Sequence, residues 1–360
     1  MEIGFRPEAV TLDAAEGTPA TVDRVEVIGE DAFAYLRLAA GHQVVARVPA
    51  ARAPGRRAPR PDTRARRQLA LMLTPYLIGL VGLVMVPALV TLGMSVTDYD
   101  LLRPPTWAGL DNFAALLDDP IFRVALLNSV VFALVAVPLR VLLALGLALL
   151  LHRRAAGVGT ARTAALLPTA VPEIAYGLLW LWLFNPLYGP INQLLRVGGE
   201  NGLTAFGRTP PQWLTDPTSA RAGIILMSLF TMGETFVVLL AARRALPRDV
   251  YEMAAIEDAT GWDVFRRITL PLLAPVLALL AVRDAVASLH FTFVPAFVVT
   301  DGGPPPYATT YLSLFVYQTG FEYLRYGYAA AATLVMMLLT VAAVLVQWRL
   351  IRRYRRFYQL

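Results

Sequence analysis

The chain has 360 residues, of which 57% are hydrophobic and 16% charged, with a mean hydropathy of +0.55; a soluble domain holds roughly 45–50% apolar residues, so most of this chain is expected inside a membrane. The formal net charge is +6 and the sequence contains no lysine, so its basic residues read as arginine topology signals rather than as a nucleic-acid surface. The absence of cysteine excludes disulfides, zinc–thiolate sites and thiol nucleophiles, and the scattered His42, His152 and His290 do not make a metal site, so neither metal nor cofactor is expected.

Residues 1–49 differ from the rest. Short alternating runs over Thr21–Ile28, Ala32–Leu38 and Val44–Val48, broken at Gly29 and Gly41, predict a small antiparallel β unit. No basic segment leads into a short apolar core, so nothing here asks for export. About 50 residues with few apolar side chains are marginal as an independent fold, and a working domain, a gene fusion and a misplaced start codon all remain open. Residues 50–68 turn to Ala, Pro and Arg, with Arg52, Arg56, Arg57, Arg60, Arg64, Arg66 and Arg67, and predict an extended linker held on the cytoplasmic side.

Six apolar runs follow, near 70–96, 124–150, 163–184, 222–242, 272–298 and 328–348, each long enough for the roughly 20 residues of a membrane-crossing helix. The fold class is therefore an all-α membrane protein with a short N-terminal β fragment: a membrane domain over 69–350 and a basic tail over 351–360. The linker, Arg153, Arg154 and Arg162, the connection holding Arg243, Arg244, Arg248, Arg266 and Arg267, and the tail arginines all fall on one side. Asp98, Asp100, Asp111, Asp118, Asp119, Glu200, Asp216, Asp301 and Glu322 fall on the other, with fewer arginines. By the positive-inside rule both termini are cytoplasmic, in a cell membrane.

The connection over 247–271 has more internal design than a loop needs. Pro247 ends one helix; Asp249 stands where an N-cap belongs, with Glu252 three residues on as in a capping box. Glu252, Ala255 and Ala259 at i, i+3 and i+7 predict one face carrying a carboxylate and two methyl groups. Thr260-Gly261 is expected to end that helix, Trp262 to Ile268 to form a second short one, and Pro271 to open the fifth span. Local chemistry leaves two readings: a capped helix of good helix formers, or a stiff elbow on which another protein docks.

Arg140, Glu173, Glu234, Arg283 and Asp284 fall near mid-span, where each charge costs roughly 2.5–3.5 kcal/mol and is expected to face protein and find a partner. Arg283 and Asp284 point to different faces and do not pair with each other. Glu234 is expected to pair with Arg283, either at the solute path or as an ion pair remote from it. His290, Phe291 and Phe293 present an aromatic face that either stacks on a solute or packs.

Glu252, Ala254, Ala255, Ala259, Ile268, Leu270 and Pro271 stand at the spacing of the "EAA" loop, and the chain thereby resembles binding-protein-dependent ABC importer permeases. Met253 replaces an alanine of that pattern, Glu257 an aspartate and Asp258 a glycine, which predicts that the helix break moves to Gly261. Over about residues 69–350 the resemblance is to the sugar-uptake branch, of maltose and glycerol-phosphate type. It rests on Gly109-Leu-Asp-Asn-Phe113, Leu167-Pro168, Trp182-Leu-Phe-Asn-Pro186 with Gly189 and Asn192, and Thr300-Asp-Gly-Gly-Pro304. Gly4-Phe-Arg-Pro-Glu8, Val25–Gly29, Tyr35–Leu38 and Val45–Pro49 resemble part of the C-terminal β-domain of sugar-importer ATPases.

The resemblance implies a carbohydrate permease subunit with the ATPase-coupling residues just named, together with Asp258 and Gly261. It implies ATP-binding cassette ATPase subunits, a second homologous permease, an extracytoplasmic sugar-binding protein and membrane lipid as partners. Glu234, Arg283, Asp284, His290 and Phe291 are the candidates for the solute path. No catalytic residue is expected, because the sequence has no glycine-rich phosphate loop ending in Lys-Ser/Thr. The competing readings are an ABC permease for a polyamine, phosphate or amino acid, and a secondary transporter, which would need its own ion site and often shows internal repeats.

Overall fold

In the computed structural model, which describes residues 20–28, 31–38, 41–49, 63–153, 155–196 and 210–358, the alternating residues near the N-terminus form three antiparallel strands. These are β1 (Ala20–Ile28), β2 (Asp31–Leu38) and β3 (Gln43–Pro49), in the order β1-β2-β3. The period of two sends Ala32, Ala34 and Leu36 of β2 and Ala46 and Val48 of β3 inward. On the polar side Arg37 donates to Asp23 at 2.9 Å and Arg47 to Asp31 at 2.6 Å. The expected fragment Gly4–Glu8, the break at Gly29, Arg154, Glu200 and most of the linker arginines lie outside the described residues.

The chain divides into two units, Met1–Val86 and Pro87–Leu360. Helix α1 (Thr63–Leu80) begins inside the stretch expected to be extended linker. Once Pro59 and Pro61 are passed, the remaining Arg, Ala and Gln are good helix formers. A π-helical turn (Val81–Met85) joins α1 to α2 (Val86–Met94). The hydrophobic stretch within Arg67–Met94 has no buried residue.

The second unit, which begins within α2, continues with a two-strand ladder, β4 (Thr97–Asp98) and β5 (Thr106–Trp107), and helix α3 (Asp111–Asp118). Asn112 donates to the carbonyls of Ser95 and Thr97 at 3.0 and 2.9 Å, so the Gly109–Phe113 motif fastens the end of α2 to α3. Helix α4 (Pro120–Leu150) has Pro120 at its first position, and the Asp119 side chain accepts from the amides of Ile121 and Phe122 at 2.8 and 3.2 Å. Its buried residues Phe122, Ala125, Ser129, Phe132, Ala136, Arg140, Ala144 and Ala148 recur every three or four positions.

The third run is not one continuous helix. It forms α5 (Val158–Leu166), a 3₁₀ turn (Leu167–Ala170) and α6 (Glu173–Leu183), bent by 102° at the break. Pro168 and Pro172 lack the N–H groups that a continuous helix would use there. The fourth run, after the short α7 (Pro190–Arg196), is α8 (Pro217–Leu229) followed by α9 (Gly233–Ala245), bent by 45°. Helix α10 (Arg248–Ile256) follows. Helix α11 (Gly261–Val264), a π turn (Phe265–Thr269) and α12 (Leu270–Phe291) then form one helix from Gly261 to Phe291. The fifth span thus starts before Pro271, and a further π turn (Pro295–Val299) follows it. Helices α13 (Leu312–Tyr317) and α14 (Tyr326–Tyr358) complete the chain, and α14 runs well past the expected end of the sixth span. The described residues hold four helices long and apolar enough to cross a membrane, or up to six if each bent pair is one span.

Packing is centred on α4. One core joins Ala144, Leu145 and Ala148 of α4 to Phe236, Leu239 and Leu240 of α9 and to Leu273 and Leu280 of α12. A second joins Phe132 and Ala136 to Tyr176, Trp180, Ile224 and Met227, and a third joins Phe122 and Ala125 to Leu312, Phe315, Ala331 and Ala332. Alanine recurs in all three cores, as expected where helix association between lipid tails depends on tight van der Waals contact.

Candidate functional site

The elbow over 247–271 is built by two helix ends and one break. Pro247, at φ −59° and ψ 130°, is itself the N-cap of α10 and offers no side-chain cap. The helix therefore starts at Arg248, and Asp249 lies in its first turn. This corrects the expected capping box, and Glu252 is left exposed. Helix α10 ends in a Schellman motif: the Ala259 amide donates to the Ala254 carbonyl at 3.0 Å and the Asp258 amide to the Ala255 carbonyl at 3.3 Å.

Asp258 takes the left-handed conformation itself, at φ +51°. The break therefore does not move to Gly261 as expected; it stays where glycine would permit it, because aspartate is among the few non-glycine residues that enter this region. Gly261 instead opens α11, capped by Thr260, whose hydroxyl accepts from the Asp263 amide at 3.2 Å. Ala259 consequently leaves the face of α10 and is half-buried in the turn.

The inner side of α10 is fixed. Ala254 is buried, and the Tyr251 hydroxyl and the Thr269 hydroxyl share a hydrogen bond at 3.0 Å. The Arg243 guanidinium lies 4.4 Å from the centre of the Tyr251 ring. The outer side carries Glu252, Met253, Ala255, Glu257 and Ile256, the last 82% exposed, and Trp262 at 66% exposed lies on the following helix. Ile268, Leu270 and Pro271 are half-buried, with Leu270 packed on the α4–α9–α12 core. The elbow thus presents a small acidic and apolar knob on α10, joined by the turn at Asp258 to the continuous helix of α11 and α12.

The mid-span charges sort into two pairs. Arg283 is paired with Glu234, as the sequence suggested, on the exposed faces of α12 and α9. Arg140 and Asp284 form the second pair, with Nε and Oδ2 2.9 Å apart and side chains 4% and 15% exposed. The approach is off the N–H axis, so this contact is an ion pair rather than a directed hydrogen bond. Arg140 also donates to the Ser288 hydroxyl, which donates in turn to the Asp284 carbonyl at 2.7 Å.

The second pair was missed, although part of its signal existed: once Glu234 is given to Arg283, Glu173 and Asp284 are the acids left for Arg140, and the fold selects Asp284. Glu173 lies just after the break, in the first turn of α6, and is exposed. Phe291 packs 5.9 Å from the Arg140 guanidinium carbon, and Phe293 stacks on Phe297 at 5.6 Å, whereas His290 is exposed.

The sugar-branch motifs turn out to be architectural. Asn185 Oδ1 accepts from the amides of Leu187 and Tyr188, both at 3.0 Å. Buried Asn192 accepts from Trp213 Nε1 at 2.8 Å and donates to the Pro211 carbonyl at 3.1 Å. At Gly303, φ +87°, a Cβ would fall 2.7 Å from the Thr309 amide nitrogen, so only glycine fits that turn.

Residues 125–356 match the family described as binding-protein-dependent transport system inner membrane component, and residues 3–68 match a TOBE domain. A probable ABC transporter permease, YesP of Bacillus subtilis, is 32% identical over 270 residues, 74% of this chain and 84% of that protein. The sulfoquinovosyl glycerol transport system permease SmoG of Agrobacterium fabrum is 32% identical over 69% of this chain and 78% of its own length. The trehalose/maltose transport system permease MalF of Thermococcus litoralis is 31% identical over 79% of this chain and 94% of its own length. A chain of the bacterial alginate ABC transporter, crystallised with an alginate pentasaccharide-bound periplasmic protein, superposes with a TM-score of 0.67 over 81% of this chain and 96% of that one; at 24% identity it shows the shared fold. The chain belongs to the binding-protein-dependent transport system inner membrane component family.

Proposed function

We propose that this chain is the permease subunit of an ATP-driven importer for a carbohydrate, with six spans, both termini in the cytoplasm and half of the translocation pore. The observation that carries this reading is the elbow: a knob of Glu252, Met253, Ile256 and Trp262 on a base fixed by Tyr251 and Thr269, joined by the turn at Asp258 to α11, which runs without interruption into α12. ATPase subunits dock on that knob through its carboxylate and apolar side chains. Because α11 and α12 are one helix, a push on the elbow tilts α12 and opens or closes the path beside it.

Glu234, Arg283 and His290 face that path, which a second homologous permease completes. Asp284 and Phe291 sit behind it, and an extracytoplasmic binding protein delivers the solute to the outer loops. The chain contributes no catalytic group; hydrolysis belongs to its partners. Residues 1–49 are a partial β-domain of the ATPase type joined to the permease domain by the linker. The sulfoquinovosyl glycerol and trehalose/maltose permeases among the relatives favour a sugar as cargo. Reconstitution in proteoliposomes with its cognate ATPase and binding protein tests this: uptake of a labelled sugar should require internal ATP. Uptake driven by an ion gradient without ATP would establish a secondary transporter, and ATP-driven uptake of only polyamine, phosphate or amino acid would move the cargo out of the sugar class.

A further inference from the structure

Beside the elbow lies a basin of about 450 Å³ whose polar lining comes from His152, Arg243, Arg244, Arg248, Tyr251 and Glu252. It holds three guanidinium charges against the single carboxylate of Glu252. Among the described residues no carboxylate forms an ion pair with Arg243, Arg244 or Arg248. Arg243 Nε is buried and has no hydrogen-bond acceptor among the described residues. Its guanidinium is nonetheless held in one place by the Tyr251 ring, whose hydroxyl is anchored on Thr269. A buried donor without an acceptor costs about 1–3 kcal/mol, and this one belongs to a guanidinium that lines a basic basin, which suits the basin to an anion.

Two further features point the same way. Helix α10 begins at the basin with no side-chain cap on its first amides, and Asp249 in its first turn is the acidic group set against its dipole. His152 is oriented by Nδ1 donating to the Leu149 carbonyl at 2.5 Å, and the turn carrying it is pinned by Arg162, which donates to the carbonyls of Leu151 and Arg153. The basin lies where α4 and α9 end, at the boundary between apolar span and polar loop. Guanidinium groups at such a boundary match a phosphate by charge and by forked geometry, and basic pockets between spans at the cytoplasmic face hold acidic head groups.

We propose that this basin binds a phosphate group, supplied by the head group of an anionic phospholipid of the adjacent leaflet, and that the bound lipid wedges the base of the elbow against the end of α4. The choice of leaflet rests on the topology proposed above; the phosphate chemistry does not.

The full chain, purified from its membrane in mild detergent, is tested by native mass spectrometry with added phosphatidylglycerol or phosphatidylcholine. The wild type should retain phosphatidylglycerol selectively. Arg243→Gln/Arg248→Gln should weaken retention about thirtyfold, as expected for two guanidinium charges at an anionic surface. The charge-matched Arg266→Gln/Arg349→Gln should retain lipid as the wild type does. The exposed Arg244→Gln, which leaves the Tyr251 contact intact, should give a smaller loss and covers the case in which the double variant fails to fold. In a second arm, inorganic phosphate is added to delipidated protein. A rise in Tm with phosphate, without selective lipid retention, would overturn the lipid as the source. Equal retention by basin and control variants with no response to phosphate would overturn the site. Loss of ATPase association in the basin variants with lipid retention unchanged would assign the basin to the protein partner and overturn the proposal.

Discussion

Arg283 and Asp284 are neighbours on α12, yet their ion pairs have opposite settings. Asp284 and Arg140 are nearly sealed between α12 and α4, with Ser288 taking a further guanidinium hydrogen bond and the rings of Phe132 and Phe291 close by. Arg283 and Glu234 remain 48% and 67% exposed in the isolated chain. One helix therefore uses charge in two ways: inward, to hold itself against the α4 scaffold, and outward, on a face that the chain's own helices leave uncovered. The inward pair should govern whether the bundle folds and the outward pair what the bundle does.

Breaking the inward pair is the sharpest way to test that division. Arg140→Ala leaves Asp284 buried without its partner and should cost about 3–5 kcal/mol, read as lost yield and a lowered Tm in detergent. Replacing both partners with apolar residues, Arg140→Met/Asp284→Leu, should recover most of that loss; a single variant as stable as the wild type would erase the contrast. The outward pair predicts the reverse pattern. Glu234→Gln and Arg283→Gln should each change stability by less than about 1 kcal/mol while lowering uptake in proteoliposomes, and unchanged uptake in both would remove the pair from the path.

Smaller effects are expected at the elbow end of the same helix. Thr260→Ala removes the cap of α11 and should cost about 1 kcal/mol, visible as faster amide exchange over residues 260–264. Asp258→Gly relieves a left-handed aspartate, at the expense of a more flexible unfolded chain, and should stabilise by less than about 1 kcal/mol; destabilisation would show that the Asp258 side chain contributes a contact of its own.

Much of this was legible in the sequence because it is periodic or compositional. The strands over 20–49 follow alternation, and the membrane helices follow apolar length. The Glu234–Arg283 pair follows from the cost of leaving a mid-span charge alone. What was not legible depended on competition between local choices. Asp258 was expected to resist the left-handed turn, but the Schellman hydrogen bonds at Ala254 and Ala255 fix the break there. Asp249 was expected to cap α10, but Pro247 already has the backbone angles of a cap. The third span looked continuous because its residues are apolar throughout, and the 102° bend comes from two missing proline N–H groups that hydropathy does not register. Asn185 and Asn192, recognised as motif residues, prove to be turn and core anchors whose partners at 187, 188, 211 and 213 only the fold brings together.

The exposed knob of the elbow is the place proposed above for an ATPase to drive this permease. The direct measurement is co-purification of the associated ATPase with the full chain, comparing wild type with Glu252→Arg at matched yield and Tm. The wild type should retain the ATPase, and Glu252→Arg, which reverses the charge at position 252 without touching Tyr251, Thr269 or the Ala254 turn, should lose it together with ATP-dependent uptake. Full retention of the ATPase and of uptake by a folded Glu252→Arg would contradict it.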